Sequence, residues 1–325
     1  MYNHLENNWM DWHYDSDPAE KFRSHGQQQF GVTVTPTDRP VLDLKTECRL
    51  ACESIRDTFP GEPLCVMFSG GSESEITVRS FLAAGIAIEV YIARYEDNIN
   101  IYDVSHAVVI CESLGVDYKI IDFAVQRFFR NDAAAYSTAS QCVIPPLLVQ
   151  LPLCELVDGV PIMGGGEIAV HRTTSDYAQQ GTWLIEEWEY NWAWSRYFRL
   201  RQRPAVVDWC RWRPTQFMAW QQLRWFQQLI TDQYPGKQGV DSTKLQGYRE
   251  AWPDMITRTK RHGLEAIEPL MRELTRELIH VNGGQCYGGS RYLDGSQQAH
   301  PSITGSLAAH GQWFEVRDFQ QRITG

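Results

Sequence analysis

Apolar positions change period along the chain, and each change predicts an element. Between Leu42 and Phe59 they recur at helical spacing, with Leu44, Cys48, Ala51 and Ile55 on one stripe. The short apolar run from Pro63 to Phe68 reads as a strand and breaks into Ser69-Gly70-Gly71-Ser72-Glu73-Ser74. Helical spacing returns from Glu75 to Ala84, with Gly85 as its stop. Ile86 to Ala93 predicts a second strand, Asp103 to Leu114 a helix closed by Gly115, and Tyr118 to Asp122 a third strand. Val160 to Met163 predicts a further strand that runs into Gly164-Gly165-Gly166-Glu167. Strands alternating with helices predict an α/β fold, a parallel sheet with crossover helices.

The flanks are patterned differently. Residues 1–40 are polar and rich in Gln, Asn and Asp, with Trp9, Trp12 and Tyr14 as isolated anchors, and read as an irregular extension. Beyond Glu265, Ile267, Leu270, Met271, Leu274 and Leu278 share one face of a helix from Ala266 to His280. The glycine pairs at 283–284 and 288–289 and the polar stretch to His300 predict a loop.

Composition excludes several classes. With 325 residues, 43% hydrophobic and 22% charged, the chain matches an ordinary globular protein of one large domain or two. No apolar run approaches the roughly 20 residues of a membrane span, and no basic stretch with an apolar segment opens the chain, so a cytoplasmic protein is expected. The eight cysteines are scattered without a Cys-x-x-Cys pair, which predicts reduced thiols in the core and no zinc site. A formal charge of −10 disfavours nucleic acid as partner, although local basic patches leave it open.

The chemistry concentrates after Phe68. A strand that ends in a small-residue loop and then a helix offers unhindered backbone N–H groups at a helix N-terminus beside hydroxyls, a cradle for phosphate. Neither Gly-x-x-x-x-Gly-Lys-Ser/Thr nor Gly-x-Gly-x-x-Gly is present there. The loop resembles the Ser-Gly-Gly-x-Asp-Ser signature of the PP-loop ATP pyrophosphatases, which bind ATP, adenylate a substrate and release pyrophosphate. Ser69, Gly70, Gly71 and Ser74 match it, and Glu73 stands where the family has the Asp that holds Mg²⁺ against the phosphates. A Glu keeps the charge and the oxygen ligands with one methylene more reach. The resemblance implies ATP and Mg²⁺ as cofactors, with Ser69, Gly70, Gly71, Ser72 and Ser74 around the phosphates.

Two further segments sharpen it toward the asparagine synthetase C-terminal domain and its relative β-lactam synthetase. In that family a strand precedes Gly-x-Gly-x-Asp. Gly164 and Gly166 match the glycines, and Glu167, one position before the family's Asp, is the implied second metal carboxylate. The stretch Trp252 to Leu264 is similar to the family's Pro, Arg-x-Lys, Gly-Phe segment, which implies catalytic roles at the phosphates for Arg258 and Lys260. The family's glutamine amidotransferase domain has no counterpart, since Met1 is followed by Tyr2 rather than a catalytic Cys. The implied division is a PP-loop nucleotide-binding domain at 41–180 and a mainly helical Trp/Arg-rich region at 181–325.

In that region Trp183, Trp188, Trp192, Trp194, Trp209, Trp212, Trp220 and Trp225 interleave with Arg196, Arg199, Arg201, Arg203, Arg211 and Arg213. Such a mixture serves a helical core, a homo-oligomer interface, substrate recognition or a nucleobase-stacking platform. The function expected from the motifs is ATP-dependent adenylation of a carboxylate or amide carbonyl on a small-molecule substrate, then attack by a nucleophile such as an amine. Two alternatives stay open: sulfur or nitrogen insertion into a nucleobase, for which Cys142 is the loop-like candidate thiol, and a nucleotide-binding protein that has lost catalysis.

Overall fold

The structure is a computed structural model that describes residues 10–14, 30–34, 39–140, 142–164, 169–172, 183–186, 190–224, 240–255, 263–281, 302–305 and 315–317. Its centre is a parallel sheet of four strands, β3 (Leu64–Met67), β4 (Glu89–Tyr95), β5 (Tyr118–Phe123) and β6 (Val160–Met163), in the order β5-β4-β3-β6. Helices α2 (Ser72–Ala83) and α3 (Ile101–Leu114) make the crossovers from β3 to β4 and from β4 to β5. The return to β6 runs through α4 (Val125–Asn131), α5 (Ala133–Ser140), α6 (Pro145–Leu148) and α7 (Gln150–Glu155). The expected α/β fold with a parallel sheet and crossover helices is present.

The residues explain the elements. β3 and β6 are buried at every position, as continuous apolar runs covered on both faces must be. α1 (Leu44–Thr58) starts at Asp43, whose side chain accepts from the Thr46 N–H at 3.0 Å, and turns Leu44, Cys48, Ala51, Cys52 and Ile55 into the core. Gly115 ends α3 in the left-handed conformation at φ 65°. The second strand begins at Glu89 rather than Ile86. Gly85, at φ 66°, reverses the chain after α2, and Ile86 is still bonded back to Phe81.

A short apolar run that the sequence pattern did not single out lies along the sheet's edge. Ala205, Val206 and Val207 are buried, and Val206 lies in a parallel bridge with Ile162 on the free edge of β6. The Met163 N–H donates to the Val206 carbonyl and the Val206 N–H to the Pro161 carbonyl, both at 2.9 Å. This single bridge covers the outer edge of the four-stranded sheet.

The C-terminal part is mainly helical, as expected, but carries short strands as well, and the N-terminal extension, expected to be irregular, contains a strand pair. β1 (Met10–Tyr14) and β2 (Phe30–Val34) pair antiparallel, with Met10, Trp12 and Tyr14 opposite Val34, Val32 and Phe30. β7 (Ala169–Arg172), β8 (Trp183–Glu186), β9 (Ser302–Gly305) and β10 (Glu315–Arg317) form a second, antiparallel sheet in the order β10-β9-β8-β7. Both sets are short runs of period-2 alternation set in polar sequence, a weaker signal than a continuous apolar run. The helices of this part are α8 (Tyr190–Leu200), α9 (Pro214–Gln221), α10 (Val240–Ala251) and α11 (Glu268–Val281). α11 carries the expected apolar face, and a 3-10 turn at Leu264–Ile267 precedes it.

Several of the tryptophans are core residues. Trp194, Trp209, Trp212 and Trp220 are all buried, which removes them from any surface platform for stacking bases. The Trp194 indole donates to the Leu147 carbonyl and that of Trp212 to the Ser54 hydroxyl, each at 3.2 Å. Arg196 donates to the Ala139 carbonyl at 3.0 Å, and Arg211, fully buried, pairs with Asp208. Among the described residues no helix is long and apolar enough to cross a membrane.

Candidate nucleotide-phosphate site

The loop between β3 and α2 stands at the carboxyl end of a central strand, where open parallel sheets bind their ligands. Its backbone is fixed from three sides. The Phe68 N–H donates to the Tyr91 carbonyl of β4 at 2.8 Å. Gly70 is left-handed at φ 69°, and a Cβ placed on it would sit 3.0 Å from the Ala107 nitrogen, so α3 packs backbone to backbone against the loop. From the other side Gly164, at the end of β6, approaches so closely that a Cβ there would lie 2.9 Å from the Ser74 nitrogen. Gly164 therefore acts on the first turn of α2 by close packing, and its carbonyl receives a contact from the Cys210 Sγ at 2.8 Å.

The hydroxyls order the loop. The Gly71 N–H donates to the Ser69 Oγ at 3.3 Å, the Ser74 Oγ donates to the Gly71 carbonyl at 3.0 Å, and the Ser69 and Ser74 hydroxyls lie 3.3 Å apart. Gly71 is the N-cap of α2 and has no side chain to cap it. The first-turn N–H groups of a helix have no intrahelical partner and carry the positive end of its dipole, so this terminus suits an anion. The Ser72 hydroxyl donates to Glu73 Oε2 at 3.0 Å, and Thr77 holds the Glu73 carbonyl at 2.9 Å.

A cleft of about 230 Å³ opens in front of the loop. Ser69 to Glu73 form its floor, Tyr91 to Ala93 and Tyr95 of β4 one wall, and Asn100, Asp103, Val104 and His106 of α3 another. Pro146, Gln150 and Leu153 come from α6 and α7, and Leu245 and Leu264 from far along the chain. Asn100 fixes the corner between β4 and α3: its Oδ1 accepts from the Tyr95 N–H and its Nδ2 donates to the Ala93 carbonyl, both at 2.8 Å. Asp97 and Asn98 just before it are held at φ 55° and 58°. Burial pushes the Tyr95 phenol up from its ordinary range and does the same for Tyr91.

Glu75, at the cleft's edge, starts a chain of charges. Its Oε1 accepts from Arg79 Nε at 2.7 Å, and Arg79 NH1 donates to Asp254 at 2.7 Å. Burial raises the Glu75 carboxyl above its usual range, while Arg79 holds the exposed Asp254 below it. This chain ties α2 to the turn that follows α10. Arg249 donates to the Met255 carbonyl at 2.9 and 2.8 Å and closes that turn.

Of the residues singled out in the sequence, Ser69, Gly70, Gly71, Ser72 and Glu73 line this cleft, and Ser74 and Gly164 pack against each other behind the loop. Gly166, Glu167, Arg258 and Lys260 lie outside the described residues. The described neighbours of the last two are Met255, in the turn bonded to Arg249, and Gly263, where a Cβ would stand 2.5 Å from Asn100 Cα. Cys142 is corrected: it is buried, and its carbonyl accepts from the Ser137 hydroxyl at 2.6 Å, so its thiol is not displayed by a loop. The other described cysteines are buried as well, and loss of solvent pushes Cys48 and Cys154 up to about 12. Sequence reading missed Asn100, Asp103, His106, Leu245 and Leu264. Asp103 and His106 are spaced i, i+3 on one helix face, a signal too common to single out.

No protein-family model matches the chain, and no curated protein matches it in sequence. Among solved structures it is similar to an NH3-dependent NAD synthetase from Campylobacter jejuni in complex with nitrate, at TM-score 0.28 and 15% identity over 39% of this chain and 57% of that one. It is also similar to an NMN synthetase from Francisella tularensis, at 0.31 and 12% over 73% and 94% of the two chains. A glutamine-dependent NAD+ synthetase from Acinetobacter baumannii in complex with ADP gives 0.31 and 13% over 76% and 48%. The chain spans just over half the length of the first of these. At such scores the likenesses carry no argument about reaction or substrate.

Proposed function

We propose that the chain binds ATP in this cleft and uses it to adenylate a small-molecule carboxylate or amide carbonyl, with release of pyrophosphate and subsequent attack by a nucleophile such as an amine. The observation that supports this reading is the loop itself. A Ser-Gly-Gly-x-Glu-Ser turn at the end of a central parallel strand, with its helix N-terminus uncapped, faces a cleft walled by apolar and aromatic residues of β4. Phosphates fit the loop, and a planar base fits the wall beyond it.

The donors fit Mg²⁺ as well. Magnesium bound to a nucleotide takes one or two carboxylates, phosphate oxygens and water rather than an all-protein cage. Glu73, on the first turn of α2, is the carboxylate that would hold it, and the Ser72 hydroxyl orients that carboxylate. Such an ion neutralises the charge that develops on the leaving pyrophosphate. Glu167 is the second ligand of this reading, and Arg258 and Lys260 are the cations that would stabilise the transferring group. The finer likeness to asparagine synthetase and β-lactam synthetase rests on these residues.

The role of the protein is positioning. Gly70 and Gly164 let two elements close on the loop, so that the N–H groups of α2 meet the phosphates without rearrangement. Pyrophosphate release in the presence of Mg·ATP and a panel of carboxylates, amides and amines tests the reading. Glu73→Ala is expected to abolish turnover while thermal melting stays unchanged, and unaltered turnover refutes the metal role. If Mg·ATP binds and no acceptor yields AMP, the chain is a nucleotide-binding module. The burial of Cys142 speaks against the sulfur-inserting alternative.

A further inference from the structure

A triphosphate brings several negative charges into a cleft whose described walls are acidic. Glu73 and Glu75 enter from α2 and Asp103 from α3; β4 contributes Tyr91, Ile92, Ala93 and Tyr95, with the Tyr91 hydroxyl tied to Glu89. From α6 and α7 come Pro146, neutral Gln150 and Leu153, from α10 Leu245, and from the following 3-10 turn Leu264. Among the described residues that line the cleft, His106 alone can carry a positive charge.

Its place is set by the backbone. Ala107, the next residue, is the one whose nitrogen stands 3.0 Å from a Cβ built on Gly70, so the helix turn bearing His106 rests on the phosphate loop. Asp103 lies one turn earlier on the same face of α3, and both side chains are half-buried in the cleft wall. An imidazolium in this wall shares the cleft with a phosphate held by the loop, and a charge-assisted hydrogen bond between them is stronger than a neutral one.

We infer that His106 is a phosphate-binding residue of this cleft, a proton-dependent cation that contacts the nucleotide's polyphosphate across the loop from α2. The inference rests on the nucleotide reading and deepens it. A neutral imidazole can still donate one N–H, but only the protonated ring adds a positive charge, so affinity depends on pH near neutrality.

The test is calorimetric titration of the full chain with Mg·ATP from pH 5.5 to 8.5, for wild type, His106→Gln and His106→Lys. Because the nucleotide's own titration is common to all three, the ratio between variants isolates the side chain. At pH 6 His106→Gln is expected to bind about tenfold more weakly than wild type, with the gap closing by pH 8.5, while His106→Lys retains tight binding across the range. Should His106→Gln fail to fold, as judged by thermal melting, His106→Asn takes its place. Wild-type binding that neither neutral variant weakens at pH 6 overturns this inference and leaves the nucleotide reading standing. Absence of binding by wild type at every pH overturns both.

Discussion

Two regions are dense in polar and aromatic groups, and the structure uses them in opposite ways. Around Trp209 and Arg211 the polar groups turn inward. The guanidinium pairs with Asp208, and Trp212 and Trp194 reach a hydroxyl and a carbonyl of the body. Around Ser69 to Ser74 the internal bonds order the turn but leave its helix N-terminus facing a cleft. Residue type therefore separates the two poorly, whereas the direction of the hydrogen bonds separates them well. A buried ion pair that serves packing costs desolvation and is retained where its partners are in place. An uncapped helix end at a cavity is a cost left for a ligand to relieve.

The contrast can be broken by substitution, beginning with the body. Trp209→Ala removes a fully buried indole, and a loss of about 3–5 kcal/mol is expected, read as the urea midpoint. Nucleotide affinity of the molecules that remain folded should not change. A large fall in affinity would show that body and cleft are one unit.

Gly164→Ala probes the other region. The added methyl meets the Ser74 nitrogen at 2.9 Å and Ser74 Cα at 3.0 Å, all of it backbone, so the first turn of α2 must move. A cost of about 1–3 kcal/mol is expected, with a disproportionate loss of Mg·ATP binding. Binding equal to wild type would mean that the cradle tolerates displacement.

The smallest effect belongs to Asp254→Asn, at the link from α2 to the turn after α10. Arg79 depresses the Asp254 carboxyl, so its stabilisation is present above the unfolded value of about 3.9 and is lost as pH falls through the lower folded value. Because Asp254 is exposed, the variant should lose less than about 1 kcal/mol at pH 7 and converge on wild type at a pH below the lowered folded value. Urea midpoints at the two pH values measure this, and an equal loss at both would assign the effect to something other than the charge.

What was legible in the sequence follows from how local each signal is. Leu64–Met67 and Val160–Met163 are uninterrupted apolar runs beside glycine, and Gly115 stops its helix by a backbone preference of its own. The place of the candidate loop between strand and helix was legible for the same reason, since its hydroxyls and glycines are consecutive. Ala205–Val207 was not, because three residues among tryptophans and arginines carry no period. The walls of the cleft were hidden because Leu245 and Leu264 reach it only through tertiary packing, and His106 gains its meaning from the contact between Ala107 and Gly70. The strands of the flanks show that weak alternation in polar sequence still pairs when a complementary run is at hand.

β3 is laddered to β4 on one edge and to β6 on the other. Amides of Leu64 to Met67 can exchange with solvent only if neighbouring strands separate, so they should be among the last to take up deuterium. The turn that follows inherits that stillness at its first residue and is clamped by α3 and Gly164 along its length. On the proposed reading, an arriving anion would find its donors already oriented, with little conformational freedom left to lose on capture.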